Sequence, residues 1–334
     1  MLMAKFVFRA SQVVLRTVWK LNTTKKKGAT LLSQLENEFN GQFEKQAFNK
    51  ASKFQSIQQL LINDPFCELA GRLSTKEESL LNQYYFALTG VYDDIIDQNS
   101  SIGIARLDTL LNHPDQKITT QFNERILVGT YQYLLKHVQD PLSYQNIIHS
   151  IHQAQKDSLQ QFNPQITPAQ IIDITQRKGG FSLLMCRYHL NLPQSNALNE
   201  CWYHLGGVIQ MTNDLFDIYK DLQEGIVTFC NKQRNLKEIS DIYHQQIQLF
   251  YTSLSNLPFE VKKKHTLQIK LSFIPAFGMI ALENLRKIKG SLDQLPDFTQ
   301  LERKALIIDM EKPINIYKLL YYAYKLNKRN VLGK

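Results

Sequence analysis

The sequence predicts an all-α fold: a single-domain bundle of about ten helices over residues 29–334, preceded by a basic extension over residues 1–28. Three observations predict it. Apolar residues recur every three to four positions along most of the chain. Proline-containing breaks divide it into pieces of ordinary helix length. Few stretches alternate with the period of two that a half-buried strand needs. With 334 residues and a 43% hydrophobic fraction, such a bundle can bury a substantial core. The composition excludes general disorder and fibrous architectures.

The first segment, Met1 to Leu21, interleaves Lys5, Arg9 and Arg16 with Phe6, Phe8, Val13, Val14, Leu15, Val18 and Trp19. These charges interrupt any secretory apolar core, and no stretch is apolar and long enough to span a bilayer. Three readings stay open: a basic helix on an anionic membrane surface, an organelle transit peptide, or a surface helix packed on the body. Lys25-Lys26-Lys27-Gly28 reads as a solvated linker. Residues 1–35 supply seven of the nine net positive charges, so the remaining chain is nearly neutral and does not read as a nucleic-acid surface. A cytoplasmic protein is expected, with peripheral membrane contact through residues 1–28 and homodimerisation both left open.

Further along, Leu31, Leu32, Leu35 and Phe39 keep helical spacing, as do Leu80, Tyr84, Leu88, Val91 and Ile95. Ile126, Tyr133 and Leu134 mark another helix, and Ile247, Phe250, Tyr251 and Leu254 a fourth. Breaks are expected at Asp64-Pro65, His113-Pro114, Asp140-Pro141, Asn163-Pro164, Leu192-Pro193, Leu257-Pro258 and Leu295-Pro296. Cys67, Cys186, Cys201 and Cys230 have neither zinc-ribbon nor disulfide-scaffold spacing.

Two acidic segments stand out. In Asp93-Asp94-Ile95-Ile96-Asp97, the outer aspartates are four apart and share a helix face. In the second segment Asn213, Asp217 and Asp221 repeat at the same interval, with Gly206 and Gln210 extending the row backwards. Like charges so spaced destabilise an isolated helix by about 0.2–0.5 kcal/mol per pair, a sign that a bound cation reverses. Carboxylate and amide oxygens are hard ligands suited to Mg²⁺, which shares its shell with substrate phosphates. The competing reading is a pair of solvated acidic helix faces. Arg177-Lys178-Gly179-Gly180 adds two cations before a glycine pair. This is a candidate phosphate site, with Arg177 as a fork and Lys178 as a point charge, or alternatively a helix end with favourable cations.

These residues resemble class I isoprenoid synthases. Asp93-Asp94-Ile95-Ile96-Asp97 is similar to their first aspartate-rich motif. The stretch from Leu205 through Asn213, with Asp217, Asp221 and Gly225, is most similar to the second motif of the squalene and phytoene synthase branch. The segment from Asp221 to Cys230 resembles the related class IB, or large-terpene, synthases. The likeness covers roughly residues 65–235. It implies the isoprenoid synthase fold around a central apolar cavity, a prenyl diphosphate substrate, and three Mg²⁺ ions with bound diphosphate. Asp93, Asp94, Asp97, Asn213, Asp217 and Asp221 would be the metal ligands, and Arg177 and Lys178 would hold diphosphate.

Departures from the motifs narrow the reaction. Phe216 stands where head-to-head synthases usually carry arginine, and Thr228-Phe229-Cys230 lacks their Tyr-Leu-Pro ending. The Gly-Gly-Lys-Arg signature of chain-elongating enzymes is absent. The expected activity is therefore that of a terpene synthase that ionises a linear prenyl diphosphate and cyclises or deprotonates the carbocation. Head-to-head condensation is the alternative, and a membrane-surface scaffold the non-enzymatic one. Phe86, Gly90, Phe181, Gly206 and Gln210 are candidate cavity liners by helix phase, although each is also an ordinary core candidate.

Overall fold

A computed structural model describes the backbone of residues 2–98 and 100–329; side chains are described over these ranges except at 2–5, 7–16, 18, 93, 97, 98, 100–102 and 329. Among the described residues every regular element is helical, and no strand occurs. In chain order the helices begin with α1 (Leu2–Glu38), α2 (Lys45–Gln58), α3 (Asp64–Leu69) and α4 (Lys76–Gln98). There follow α5 (Ser100–Asn112), α6 (Phe122–His137), α7 (Pro141–Ser158) and α8 (Pro168–Arg187). Next come α9 (Asn196–Phe216), α10 (Ile218–Gln223), α11 (Phe229–Lys232) and α12 (Leu236–Ser255). The last are α13 (Val261–Leu271), α14 (Phe273–Lys289), α15 (Arg303–Leu306) and α16 (Pro313–Arg329).

The chain divides into two compact units. Unit 1 comprises Met1–Ser11, Ser150–Leu184 and Gln194–Lys334, and unit 2 comprises Gln12–His149 and Met185–Pro193. No break falls at residue 28, because α1 runs through Lys25-Lys26-Lys27-Gly28 without interruption. The absence of a side chain at Gly28 admits Gln55 of α2, whose amide donates to the Thr24 carbonyl at 2.9 Å. The expected linker is thus a helical contact site. Within unit 1, Phe6 is buried edge-on against Tyr324 of α16, with ring centroids 5.5 Å apart; Trp19, in unit 2, is 79% exposed.

Unit 2 centres on α4, which packs on α2, α5 and α6. Leu88, Val91 and Ile95 of the expected stripe are buried, and Tyr84 stacks on Tyr133 of α6 with centroids 3.8 Å apart. A capping box starts α4: the Glu78 N–H donates to Thr75 Oγ1 at 3.1 Å and the Thr75 N–H to Glu78 Oε2 at 2.7 Å. Arg72 grips the same carboxylate with both guanidinium nitrogens, and the Asn191 N–H completes its shell at 2.6 Å. Glu124 is the counterpart at α6, held by Arg106 at 2.6 and 2.8 Å and by the Thr120 N–H at 2.7 Å.

The proline breaks fall in loops or at helix starts, with one exception. Before Asp64-Pro65, a π-helical turn over Gln59–Asn63 joins α2 to α3 without a loop. Proline is tolerated there because it occupies the first turn of α3.

Unit 1 is built on α9, which packs on α12 and α14; α14 also carries α16. Ile247, Phe250, Tyr251 and Leu254 of α12 are buried as expected. Tyr243 of α12 ties the three central helices together: its hydroxyl donates to the Pro275 carbonyl at 3.0 Å and lies 2.8 Å from Thr212 Oγ1. Its ring occupies the space that a side chain at Gly278 would fill.

The Arg106 guanidinium holds the Glu124 carboxyl down to about 2, against the opposing effect of burial. A depressed carboxyl stabilises the fold above its unfolded value of 4.5, and this contribution disappears as the pH falls towards about 2. Glu124→Gln is therefore expected to lower the melting temperature at neutral pH. It should also flatten the loss of stability between pH 4.5 and pH 2, as read by circular dichroism melts.

Candidate functional site

Of the candidate residues of unit 1, Gly206 and Gln210 lie where α8 meets α9. Two rows of residues spaced by four meet there: Thr175 and Gly179 on α8, and Gly206, Gln210 and Asp214 on α9. The backbones touch at the glycines. A Cβ on Gly179 would strike the Gly206 carbonyl, and a Cβ on Gly206 would strike the Gly179 carbonyl. Gly180 makes room in the same way for the Tyr203 ring. The glycine pair thus provides close helix packing. Phe181 is half-buried, with its ring edge-on to Tyr203 at 5.1 Å.

This approach buries Asp214. Its Oδ1 accepts from Gln210 Nε2 at 3.0 Å and its Oδ2 from Thr175 Oγ1 at 3.1 Å. Gly206 and Gln210 therefore serve the helix contact and the buried acid. Burial pushes the Asp214 carboxyl up to about 6, while Gln210, Thr175 and the charge of Lys178 pull the other way. A cavity of about 10 Å³ beside it, lined in part by Thr175, Gly207, Met211 and Asp214, is too small for an organic substrate.

Asn213, Asp217 and Asp221 keep their four-residue connection through the backbone. The Asp217 N–H donates to the Asn213 carbonyl and the Asp221 N–H to the Asp217 carbonyl, each at 2.8 Å. They do not lie on one unbroken helix, however. Asp217 leaves helical geometry at φ −95°, ψ 11° and separates α9 from α10. The Asn213 and Asp217 side chains are exposed, whereas Asp221 is buried. Burial, followed by the charges of Asp214 and Asp217, pushes the Asp221 carboxyl up to about 7.

A Schellman motif fixes the end of this row. Gly225 adopts φ +70°, its N–H donates to the Leu222 carbonyl at 3.3 Å, and the Ile226 N–H donates to the Asp221 carbonyl at 2.8 Å. Val227 and Gln161 then exchange hydrogen bonds, Val227 N–H to the Gln161 carbonyl at 2.7 Å and Gln161 Nε2 to the Val227 carbonyl at 3.1 Å.

Arg177 is engaged elsewhere. Its guanidinium bridges Asp157 at 2.7 Å and Asp173 at 2.8 Å, so its fork is occupied by two carboxylates. Lys178 is half-buried, and its charge acts on Asp214.

In unit 2, Asp93, Asp94 and Asp97 lie on the last turns of α4. The side chains of Asp93 and Asp97 lie outside the described residues; Asp94 is half-buried. Phe86 is half-buried, edge-on to Tyr85 at 5.2 Å. A Cβ built on Gly90 meets nothing within 4 Å, so this position borders open space.

Among the described residues no three carboxylate, imidazole or thiol groups converge into a preformed metal cage. Mg²⁺ seldom needs one, since it usually takes one or two protein carboxylates and completes its shell with water and phosphate. Asn213, Asp217 and Asp221 offer oxygen donors of the kind such a shell takes. Asp214 is the residue that spacing from Asn213 overlooked. The signal for it was the double row, Gly206-Gln210-Asp214 against Thr175-Gly179. A scan of the chain against models of known protein families finds no match, and no curated protein matches it in sequence.

A carboxyl with a raised value destabilises the fold as the pH rises, so Asp221 acts in the opposite sense to Glu124. In metal-free buffer, Asp221→Asn is expected to raise the melting temperature at pH 8 and to change it little below pH 4. Gly206→Val should part α8 from α9 and cost about 1–3 kcal/mol in urea unfolding. Gly206→Ala should cost less, because alanine recovers about 1 kcal/mol of helix propensity.

Proposed function

We propose that this chain is a Mg²⁺-dependent class I terpene synthase that ionises a linear prenyl diphosphate. The observation that carries this reading is the Asn213, Asp217 and Asp221 row. Its oxygen donors are linked by successive backbone hydrogen bonds, beside the buried acid Asp214, whose charge helps to push the Asp221 carboxyl up. The resemblance of Asp93-Asp94-Ile95-Ile96-Asp97 to the first aspartate-rich motif supports it. In this reading Asp93, Asp94 and Asp97 are also metal ligands.

Mg²⁺, when bound, supplies the positive charge that makes diphosphate a leaving group. Asn213, Asp217 and Asp221 would hold it, and Lys178 is the cation assigned to diphosphate. Arg177, spanned by two carboxylates, is assigned instead to anchoring α8 to the end of α7. The C–O bond breaks with its electron pair leaving on the diphosphate oxygen, and the allylic cation, directly or after closing a ring, then loses a proton to the released diphosphate. An aromatic face such as that of Phe181 would stabilise such a cation by about 0.5–2 kcal/mol.

The test is incubation with geranyl, farnesyl and geranylgeranyl diphosphates, with mass spectrometry of the extract. Hydrocarbons with the carbon count of the substrate are expected; doubled counts would indicate head-to-head condensation instead. Asp93→Ala and Asn213→Ala should each abolish diphosphate release while the helical circular dichroism signal persists. Full activity in either variant would refute the metal assignment.

A further inference from the structure

A groove of about 220 Å³ opens between α12, α14 and α16 of unit 1. Its residues divide into two kinds. Met279, Leu282 and Leu326 provide an apolar floor, and Arg286 and Lys325 bring two cations from different helices. Ser240, His244 and Tyr322 complete the wall. None of these belongs to the Asn213, Asp217 and Asp221 row, so the inference stands independently of the proposal above.

The two cations are not neutralised. Neither the Arg286 guanidinium nor the Lys325 ammonium makes a hydrogen bond or ion pair with a described residue, and both side chains are exposed. Lys325 lies over the Tyr321 ring, 5.1 Å from its centroid, a contact that orients the ammonium without cancelling its charge. The neighbouring carboxylates are already occupied. Glu283 accepts from Lys318 at 2.6 Å and from the Tyr322 hydroxyl at 2.9 Å, and it pairs with Lys287 at 3.3 Å. Asp241, beside Ser240, is paired with Lys237 at 2.6 Å. His244 Nδ1 donates to the Ser240 carbonyl at 2.7 Å, which fixes the ring in the wall. The groove therefore combines net positive charge with a greasy base.

A planar guanidinium fork and a point-like ammonium, set on separate helices, suit an anion with several oxygens better than a single carboxylate. We infer that this groove binds a small phosphate monoester with an apolar organic group, its phosphate on Arg286 and Lys325 and its apolar part on Met279, Leu282 and Leu326.

The test is a titration of the full chain, with chelator present, using phenyl phosphate and inorganic phosphate as probes. Calorimetry gives the affinity, and the NMR signals of the His244 ring report the location. Saturable binding of phenyl phosphate with shifts at His244 is expected, with inorganic phosphate at least severalfold weaker. Arg286→Gln and Lys325→Gln should each weaken binding by about tenfold, the scale of one charge-assisted contact. Both positions are exposed, so the variants should keep their circular dichroism spectra and melting temperature. Unchanged affinity in both variants, no saturation, or equal affinity for inorganic phosphate would overturn the inference. Chelation removes any contribution from Mg²⁺, so a negative result here leaves the proposed synthase activity untouched, and the reverse also holds.

Discussion

The touching backbones of Gly179 and Gly206 set the terms for the rest of unit 1's candidate site. Two helices can approach this closely only where neither carries a Cβ at the crossing. Once they do, the residues one turn to either side are carried inwards together. Thr175 then reaches Asp214, and Gln210 closes on the same carboxylate from within α9. A buried carboxyl without partners costs several times what a surface one does. Here two hydrogen bonds and the field of Lys178 reduce that cost without removing it.

The chain uses its buried acids in two opposite ways. Glu78 and Glu124 each sit in a guanidinium fork with backbone N–H groups, so their charged forms are favoured despite burial. Asp214 and Asp221 have no such fork; burial pushes both carboxyls up, and the charge of Asp214 adds to the rise at Asp221. The first arrangement fastens helix starts. The second stores unfavourable charge in a short stretch of chain, and in folded proteins such stretches often mark sites that await a cation or a proton.

Much of the helical layout was legible in the sequence, because the burial of Leu88, Val91, Ile95, Phe250 and Leu254 follows directly from their spacing. Proline breaks were legible for a similar reason, except at Pro65, where a π-helical turn absorbs the change without a loop. The lysine run at 25–27 misled because charge density suggests a linker, whereas a solvated helix face tolerates it equally well. Arg177 was half legible: its partner Asp173 is one turn away on the same helix, but Asp157 arrives from α7 and no local pattern announces it. The Asn213, Asp217 and Asp221 row was read as one face of a straight rod. Local spacing carries no sign of the departure at Asp217, nor of which acids tertiary packing will bury.

Gly225 gives the row a dependence that its chemistry does not reveal. By turning left-handed it lets the Ile226 amide reach back to the Asp221 carbonyl, so the main chain under Asp221 is clamped from the far side of α10. Any residue with a side chain at 225 must either accept torsional strain or let that final turn uncoil. An ionisable group is thus located by a neighbour that has no functional group of its own, four positions downstream. Inheritance at position 225 would therefore track the placement of a charge, not merely the shape of a turn.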